Sequence, residues 1–379
     1  MAATEVLVSA SRTALRWLAR CWHGLLGGVV ATGAAQGATL PEDQAEVLYH
    51  VYDGGGVKAQ GPALLVRKGL ADRVSLSAQV YVDAVSNASI DVVTTASPFR
   101  ETRKAWDFGV QTVVRDGTLT LGGSRSTEPD YTATAFSLDS SQEVFGNMTT
   151  VNLGFTRGQD QVGRKGVAGW IDKATHWQYR AGLTQVLSPR WLASANFELI
   201  SDSGFLGSPY RAARVFGAAV PERNPRTRTS RALKLRSLHD THALWAGSSL
   251  RAEYRYYWDT WDIRAHTLEF GLSKYVAERW LLDASLRSYS QGAALFYSDN
   301  ATSETLYVSR NRQLSAFRST SVALRGSYTW PGLTAPYSMK LSLGYEFKRL
   351  AFDDFTDLRS GQAYSHNAHV LQATVSATF

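Results

Sequence analysis

A histidine held by a carboxylate beside a serine or aspartate is the grouping a hydrolase needs. The imidazole takes the nucleophile's proton and the acid fixes its tautomer. The chain approaches that grouping in three places. Asp240 and His242 fall in a turn, His266 opens a strand four residues after Asp262, and His366 and His369 lie near the carboxyl end. None completes a recognisable motif. The spacing of His366 and His369 would aim both rings at one metal only on a helix, and their segment reads as strand. Asp353, Asp354 and Asp357 offer hard oxygens to a divalent cation, or form a solvated acidic tip. There is no glycine-rich phosphate loop or haem-attachment motif, and Cys21 is the only cysteine. The expectation is a protein with no enzyme activity, no metal and no cofactor, a hydrolase being the remote alternative.

The charged residues say more. Arg180, Glu198, Lys234, Arg236, Arg251, Glu253, Arg255, Glu269, Asp283, Arg287, Arg325, Glu346 and Lys348 fall in the polar phase of segments whose other phase is apolar. In one continuous wall they would share a face, with neighbours on adjacent strands about 5 Å apart, so that opposite charges can pair. Such a belt could select ions or solutes at a constriction, or could simply stiffen a wet interior. A second basic group lies in 203–229. There Arg211, Arg214, Arg223, Arg226 and Arg228 are interspersed with Pro209, Pro221 and Pro225 around an apolar stretch at 215–220. A long loop of that kind is expected to fold inward as a constriction or to dock a partner. Its guanidinium groups suit carboxylates, phosphates or an anionic lipid leaflet.

The elements that must position these residues are strands. From Glu46 to Phe379 period two dominates and helical periodicity is almost absent. Val74, Leu76, Ala78, Val80 and Val82 alternate with Ser75, Ser77, Gln79, Tyr81 and Asp83. Met339, Leu341, Leu343, Tyr345 and Phe347 alternate with Lys340, Ser342, Gly344, Glu346 and Lys348. Runs of about nine residues are what a tilted strand needs to cross a bilayer; soluble sheets use about five or six. Short turns are expected at 69–72, 116–117, 140–146, 188–190, 240–247, 276–279 and 330–336. The links between them fall at 54–57, 87–100, 127–130, 158–172, 203–229, 259–261, 292–309 and 351–364. Short turns on one side and mostly longer loops on the other describe an all-β, transmembrane antiparallel barrel of the bacterial outer membrane. The count is sixteen strands, with fourteen to eighteen allowed, in a single domain over 38–379 whose termini are both periplasmic.

The two ends of the chain carry their own signals. Residues 1–37 read as a signal peptide, with Arg12, Arg16 and Arg20 ahead of a short apolar stretch and small residues near a cleavage point at 35–38. Its removal would lower the net charge from +7 to about +5. At the other end Leu371, Ala373, Val375, Ala377 and Phe379 alternate up to a terminal aromatic, the form of a signal for outer-membrane assembly. Trp191, Tyr275, Trp280, Trp330 and Tyr337 flank short turns, where an interfacial aromatic belt belongs.

Composition agrees. Aromatics are 11% of the chain, charged residues 19% and glycines number 31, and the mean hydropathy of −0.21 is too polar for a helical membrane protein. The positive charge is too diffuse for nucleic acid. Expected partners are outer-membrane lipid and lipopolysaccharide, the assembly machinery and, should the interior be plugged, a periplasmic partner.

Six segments carry a family likeness. They are Ser-Thr-Glu-Pro-Asp-Tyr at 126–131, Phe-Ser-Leu-Asp at 136–139, Gly-Leu-Thr-Gln-Val-Leu-Ser-Pro at 182–189, Gly-Ser-Pro-Tyr-Arg at 207–211, Pro-Glu-Arg-Asn-Pro-Arg at 221–226, and Tyr-Arg-Tyr-Tyr-Trp-Asp-Thr-Trp at 254–261 running into Ala265-His266-Thr267. In these the chain resembles a Gram-negative outer-membrane β-barrel family, domain-of-unknown-function family 3570. The resemblance implies the barrel and transfers no catalytic residue. The expected role is a pore or transport component for small polar or anionic solutes. A non-conducting structural or docking barrel is the alternative.

Overall fold

The computed structural model describes residues 38–71, 73–87, 99–167, 169–331 and 337–379. The expected signal peptide at 1–37, most of the 87–100 link and residues 332–336 of the 330–336 turn lie outside the described residues. The first nine strands are β1 (Gln44–Gly54), β2 (Val57–Leu70), β3 (Val74–Asn87), β4 (Phe99–Val114), β5 (Gly117–Glu128), β6 (Tyr131–Val144), β7 (Thr149–Gly163), β8 (Ile171–Ser188) and β9 (Trp191–Gly204). A small hairpin follows, β10 (Ala212–Val215) and β11 (Ala218–Pro221). The rest are β12 (Thr227–Asp240), β13 (Ser248–Asp259), β14 (Arg264–Val276), β15 (Trp280–Gln291), β16 (Phe317–Pro331), β17 (Ser338–Asp357) and β18 (Gln362–Thr378). All but β10 and β11 form one closed antiparallel barrel of sixteen strands. β1 and β18 seal it, registered from Gln44 with Thr378 to Gly54 with Ala368. Closure gives every ladder group a partner, the condition for placing backbone in hydrocarbon.

The two faces are inverted relative to a soluble protein. Leu64, Phe108, Leu153, Leu286, Leu324 and Leu343 are exposed, whereas Asp83, Arg103, Asp160 and Glu346 are buried. On β13 the outward phase is Leu250, Ala252, Tyr254, Tyr256 and Trp258. At about 3.4 Å per residue and a tilt of about 40° that is a band roughly 20 Å tall, close to a bilayer's apolar height. The inversion makes this a transmembrane wall.

The start of β1, the end of β18 and the links 115–116, 145–148, 189–190, 241–247 and 277–279 gather at one end, called here the terminal end. Ala277 and Glu278, at φ 51° and 58°, are left-handed within the three-residue link 277–279 and turn the chain back in the sense of the strands' twist. The longer links gather at the opposite, loop end.

Several expected boundaries move. β6 continues to Val144, so the turn is 145–148 rather than 140–146. β7 and β8 shorten the 158–172 link to 164–170. β17 and β18 extend into the expected 351–364 loop and leave only 358–361, with a register shift between Ala351 and Thr356. The 292–309 loop instead runs to 316 and contains a 3-10 turn at Arg312–Leu314. Beyond the apolar band a ladder no longer needs an apolar outward phase, so its continuation leaves little trace in the hydropathy pattern.

Candidate functional site

The inward phase of β8 to β17 collects the expected charge belt. Glu253 is its hub, with Lys234 at 2.6 Å, Arg236 at 3.3 Å and Arg251 at 3.5 Å. Arg251 also reaches Glu269 at 2.6 Å. Glu198 accepts from Gln178 and lies 3.5 Å from Arg255. Arg180 bonds Asp139 at 2.6 Å, two strands away. It crosses β7 at Gly154, where a Cβ would sit 2.6 Å from its Nε. Asp283 accepts from Ser273, and Lys348 lies 3.6 Å from Glu346. Arg287 is registered opposite Glu269, and Arg325 opposite Asp283. Among the described residues these two arginines make no ion pair.

Nearer the loop end, buried networks tie the wall together. Asp83 holds Arg103 at 2.7 Å and His50 at 2.8 Å, and the Tyr81 hydroxyl lies 2.9 Å from the same imidazole nitrogen. Asp83 is on β3 and His50 on β1, so the contact passes over β2 at Gly61. A Cβ there would fall 1.7 Å from the Val82 carbonyl oxygen. Only glycine fits. His176 bridges Asp160 at 2.7 Å and Asp202 at 2.6 Å through its two ring nitrogens. Sequence phase places these residues inward, but the pairing depends on register across three strands, which no pattern along the chain supplies.

Among the described residues, two long links at the loop end are bound to each other. Arg223 of the 205–226 link pairs with Val308, and Val215 of β10 with Ala301. Trp261, Ile263, Ala294 and Leu314 form one buried cluster, and Phe352, Phe355 and Tyr364 another, with Tyr297 packed against both. Link 292–316 turns inward. Gln291 donates to the Gln313 and Ser315 carbonyls. Arg310 is fixed by Asp299 at 2.7 Å and by the Thr356 carbonyl at 2.6 Å, over the Phe355 ring. Arg312 is buried, its guanidinium 5.7 Å from the ring of Tyr364, an inward-phase residue of β18. The sequence offers 203–229 as a loop that folds inward or docks a partner; the buried arginines, Arg310 and Arg312, belong to 292–316.

The chain matches the model of the family described as "Protein of unknown function (DUF3570)" over residues 25–169 and 167–332. It belongs to that family. No curated protein matches it. Among solved structures the barrel is similar to a bacterial polysaccharide outer membrane secretin, with a TM-score of 0.51 at 10% identity over 88% of this chain and 98% of that one. It is also similar to the siderophore receptor PirA from Pseudomonas aeruginosa, with a TM-score of 0.44 at 10% identity over 89% and 81%. A Pseudomonas aeruginosa FadL homologue gives 0.42 at 12% identity over 89% and 90%. At these identities the likeness concerns the fold.

In this DUF3570 barrel the other expected sites are placed as follows. Arg228 is not a loop residue. It lies on β12, inward, 2.5 Å from Asp259 and over the Trp261 ring, because the ladder to β9 begins one residue earlier, at Thr227 with Ser203. In the loop itself Arg226 makes a two-bond pair with Asp172, Arg223 donates to the Thr305 carbonyl, and Arg214 contacts the Gly217 carbonyl. Arg211 closes the base of the hairpin, its carbonyl accepting from the Glu222 amide. His242 accepts from the Gly247 amide and closes its turn. His266 and His369 point outward to tyrosine hydroxyls, each at 2.7 Å, while His366 points inward. Asp353, Asp354 and Asp357 bind Arg318, the Ala316 amide and Arg359 respectively. Among the described residues no group of His, Cys, Asp and Glu could hold a metal. The terminal strand seats Leu371, Ala373 and Val375 in register with Val51, Tyr49 and Val47 of β1, and Ala377 with Ala45. The Phe379 amide donates to the Asp43 carbonyl.

Proposed function

We propose that the protein sits in the outer membrane, with its terminal end periplasmic, and passes small polar or anionic solutes. The observation that carries this reading is link 292–316 turning inward with Arg312 beside Tyr364. A charged loop folded against an inner wall narrows an aqueous path and sets its sign. Below it, Arg287 and Arg325 present cations opposite carboxylates to which they are not ion-paired, which favours anions in an aqueous channel with low-dielectric walls. In planar bilayers the refolded barrel is expected to conduct. Arg312→Ala should raise single-channel conductance, and Arg287→Glu with Arg325→Glu should move the reversal potential toward cations.

The apolar clusters between the two long links support a second reading, a capped barrel that conducts nothing and docks a partner. Absence of current from both the wild type and Arg312→Ala would favour it.

A further inference from the structure

The outward wall carries a feature that the lumen chemistry does not use. On β5 the outward phase reads Leu119, Leu121, Gly123, Arg125. Gly123 is registered between Phe108 of β4 and Phe136 of β6. A Cβ on Gly123 would meet nothing within 4 Å. Phe108 and Phe136 are 60% and 51% exposed on either side. The missing side chain therefore leaves a slot between two rings, floored by backbone and running down to Leu121. Two strand spacings separate the flanking residues by about 10 Å. That accommodates one hydrocarbon chain in contact at about 4 Å with each ring.

Cations close the slot toward the loop end. Arg125 is the next outward residue of β5, registered with Trp106, and Lys104 is registered with Thr127. The two are diagonal neighbours at about 7–8 Å. Both are exposed, and among the described residues neither makes an ion pair. Arg157 follows on β7, its guanidinium 4.8 Å above the Trp177 ring. The same outward change from apolar to basic occurs at Arg231, Arg264 and Arg349 on other strands. Phosphate heads above and acyl chains along the wall would match this order of groups.

We infer that the slot binds one phosphorylated glycolipid of the lipid A type. Its acyl chain lies over Gly123 between Phe108 and Phe136, and a sugar phosphate rests on Lys104 and Arg125. The inference rests on the outer-membrane location proposed above and is independent of conduction. Three cations along β4 to β7 fit a lipid with more than one phosphate better than one with a single phosphate.

The test uses the full barrel in mild detergent. Native mass spectrometry counts bound lipid, and thermal unfolding is followed with lipid A, dephosphorylated lipid A, phosphatidylglycerol or inorganic phosphate. One lipid A per barrel and a raised unfolding temperature are expected, with no comparable shift from the other three. Gly123→Leu fills the slot, and Lys104→Gln with Arg125→Gln removes the cations. Each should cut lipid A affinity at least about tenfold without lowering the lipid-free barrel's unfolding temperature. Wild-type affinity in Gly123→Leu, no lipid A binding, or an equal shift with phosphatidylglycerol or inorganic phosphate would overturn the inference. A barrel that binds lipid A yet passes no current would remove only the pore reading.

Discussion

Glu128 ends β5 at the loop end, above the apolar band, and is 7% exposed, with one carboxylate oxygen lacking a hydrogen-bond partner among the described residues. Burial pushes its pKa up to about 7; Arg103 opposes the shift, while Glu101 and Asp130 add to it. Glu101 rises to about 6, again mainly through burial. For an acid whose folded pKa is raised, the stabilising contribution is complete below the unfolded value of 4.5 and is lost as pH rises through about 7. At about 1.4 kcal/mol per unit, Glu128→Gln should stabilise the barrel by about 3 kcal/mol at pH 8 and by little at pH 4. Denaturant unfolding in detergent at the two pH values measures this. An equal effect at both would refute the assignment.

At the scale of strands, a glycine can mark a close approach, of side chains at Gly154 and of a backbone carbonyl at Gly61, or simply an unfilled place in the wall. Gly61 and Gly123 look alike in the sequence but differ in the wall. One would drive a Cβ into the Val82 carbonyl, and the other faces open space. Gly61→Ala should therefore cost about 3 kcal/mol, as overpacked sites do. Gly123→Ala should be neutral or stabilising by about 0.5 kcal/mol through reduced backbone entropy in the unfolded chain. Urea unfolding compares them, and equal values would contradict the close approach. Strands inside the apolar band were legible because hydrocarbon on one side and water on the other force period two. Outside the band that constraint lapses. Asp353, Asp354 and Asp357 thus read as a loop although their backbone pairs or bends within β17. The belt residues' phase was readable from alternation alone. Their partners were not, since Arg180 meets Asp139 across Gly154 rather than its register neighbour Glu198. The inward turn of 292–316 left no periodic trace either, because its burial comes from isolated residues far apart in the chain from their partners: Val308 on Ala213 and Val215, Leu314 on Trp261 and Ile263, and Arg312 over Tyr364.

For the whole molecule, polar ladders inside and apolar side chains outside follow from one requirement, that each backbone group be paired while one face meets lipid. Ion pairs such as the one from Arg251 to Glu269 stiffen the inner face, and the bound pair of long links forms its mouth. Cys21 is the only cysteine, so in a Cys21→Ser background single cysteines along β17 can report which face each position meets. Membrane-embedded barrels carrying a cysteine at 343, 344, 345 or 346 would be treated with a charged, membrane-impermeant maleimide. Labelling at Gly344 and Glu346 with protection at Leu343 and Tyr345 is the predicted result. Uniform labelling of all four, or the reverse alternation, would contradict a wall with lipid outside and water within.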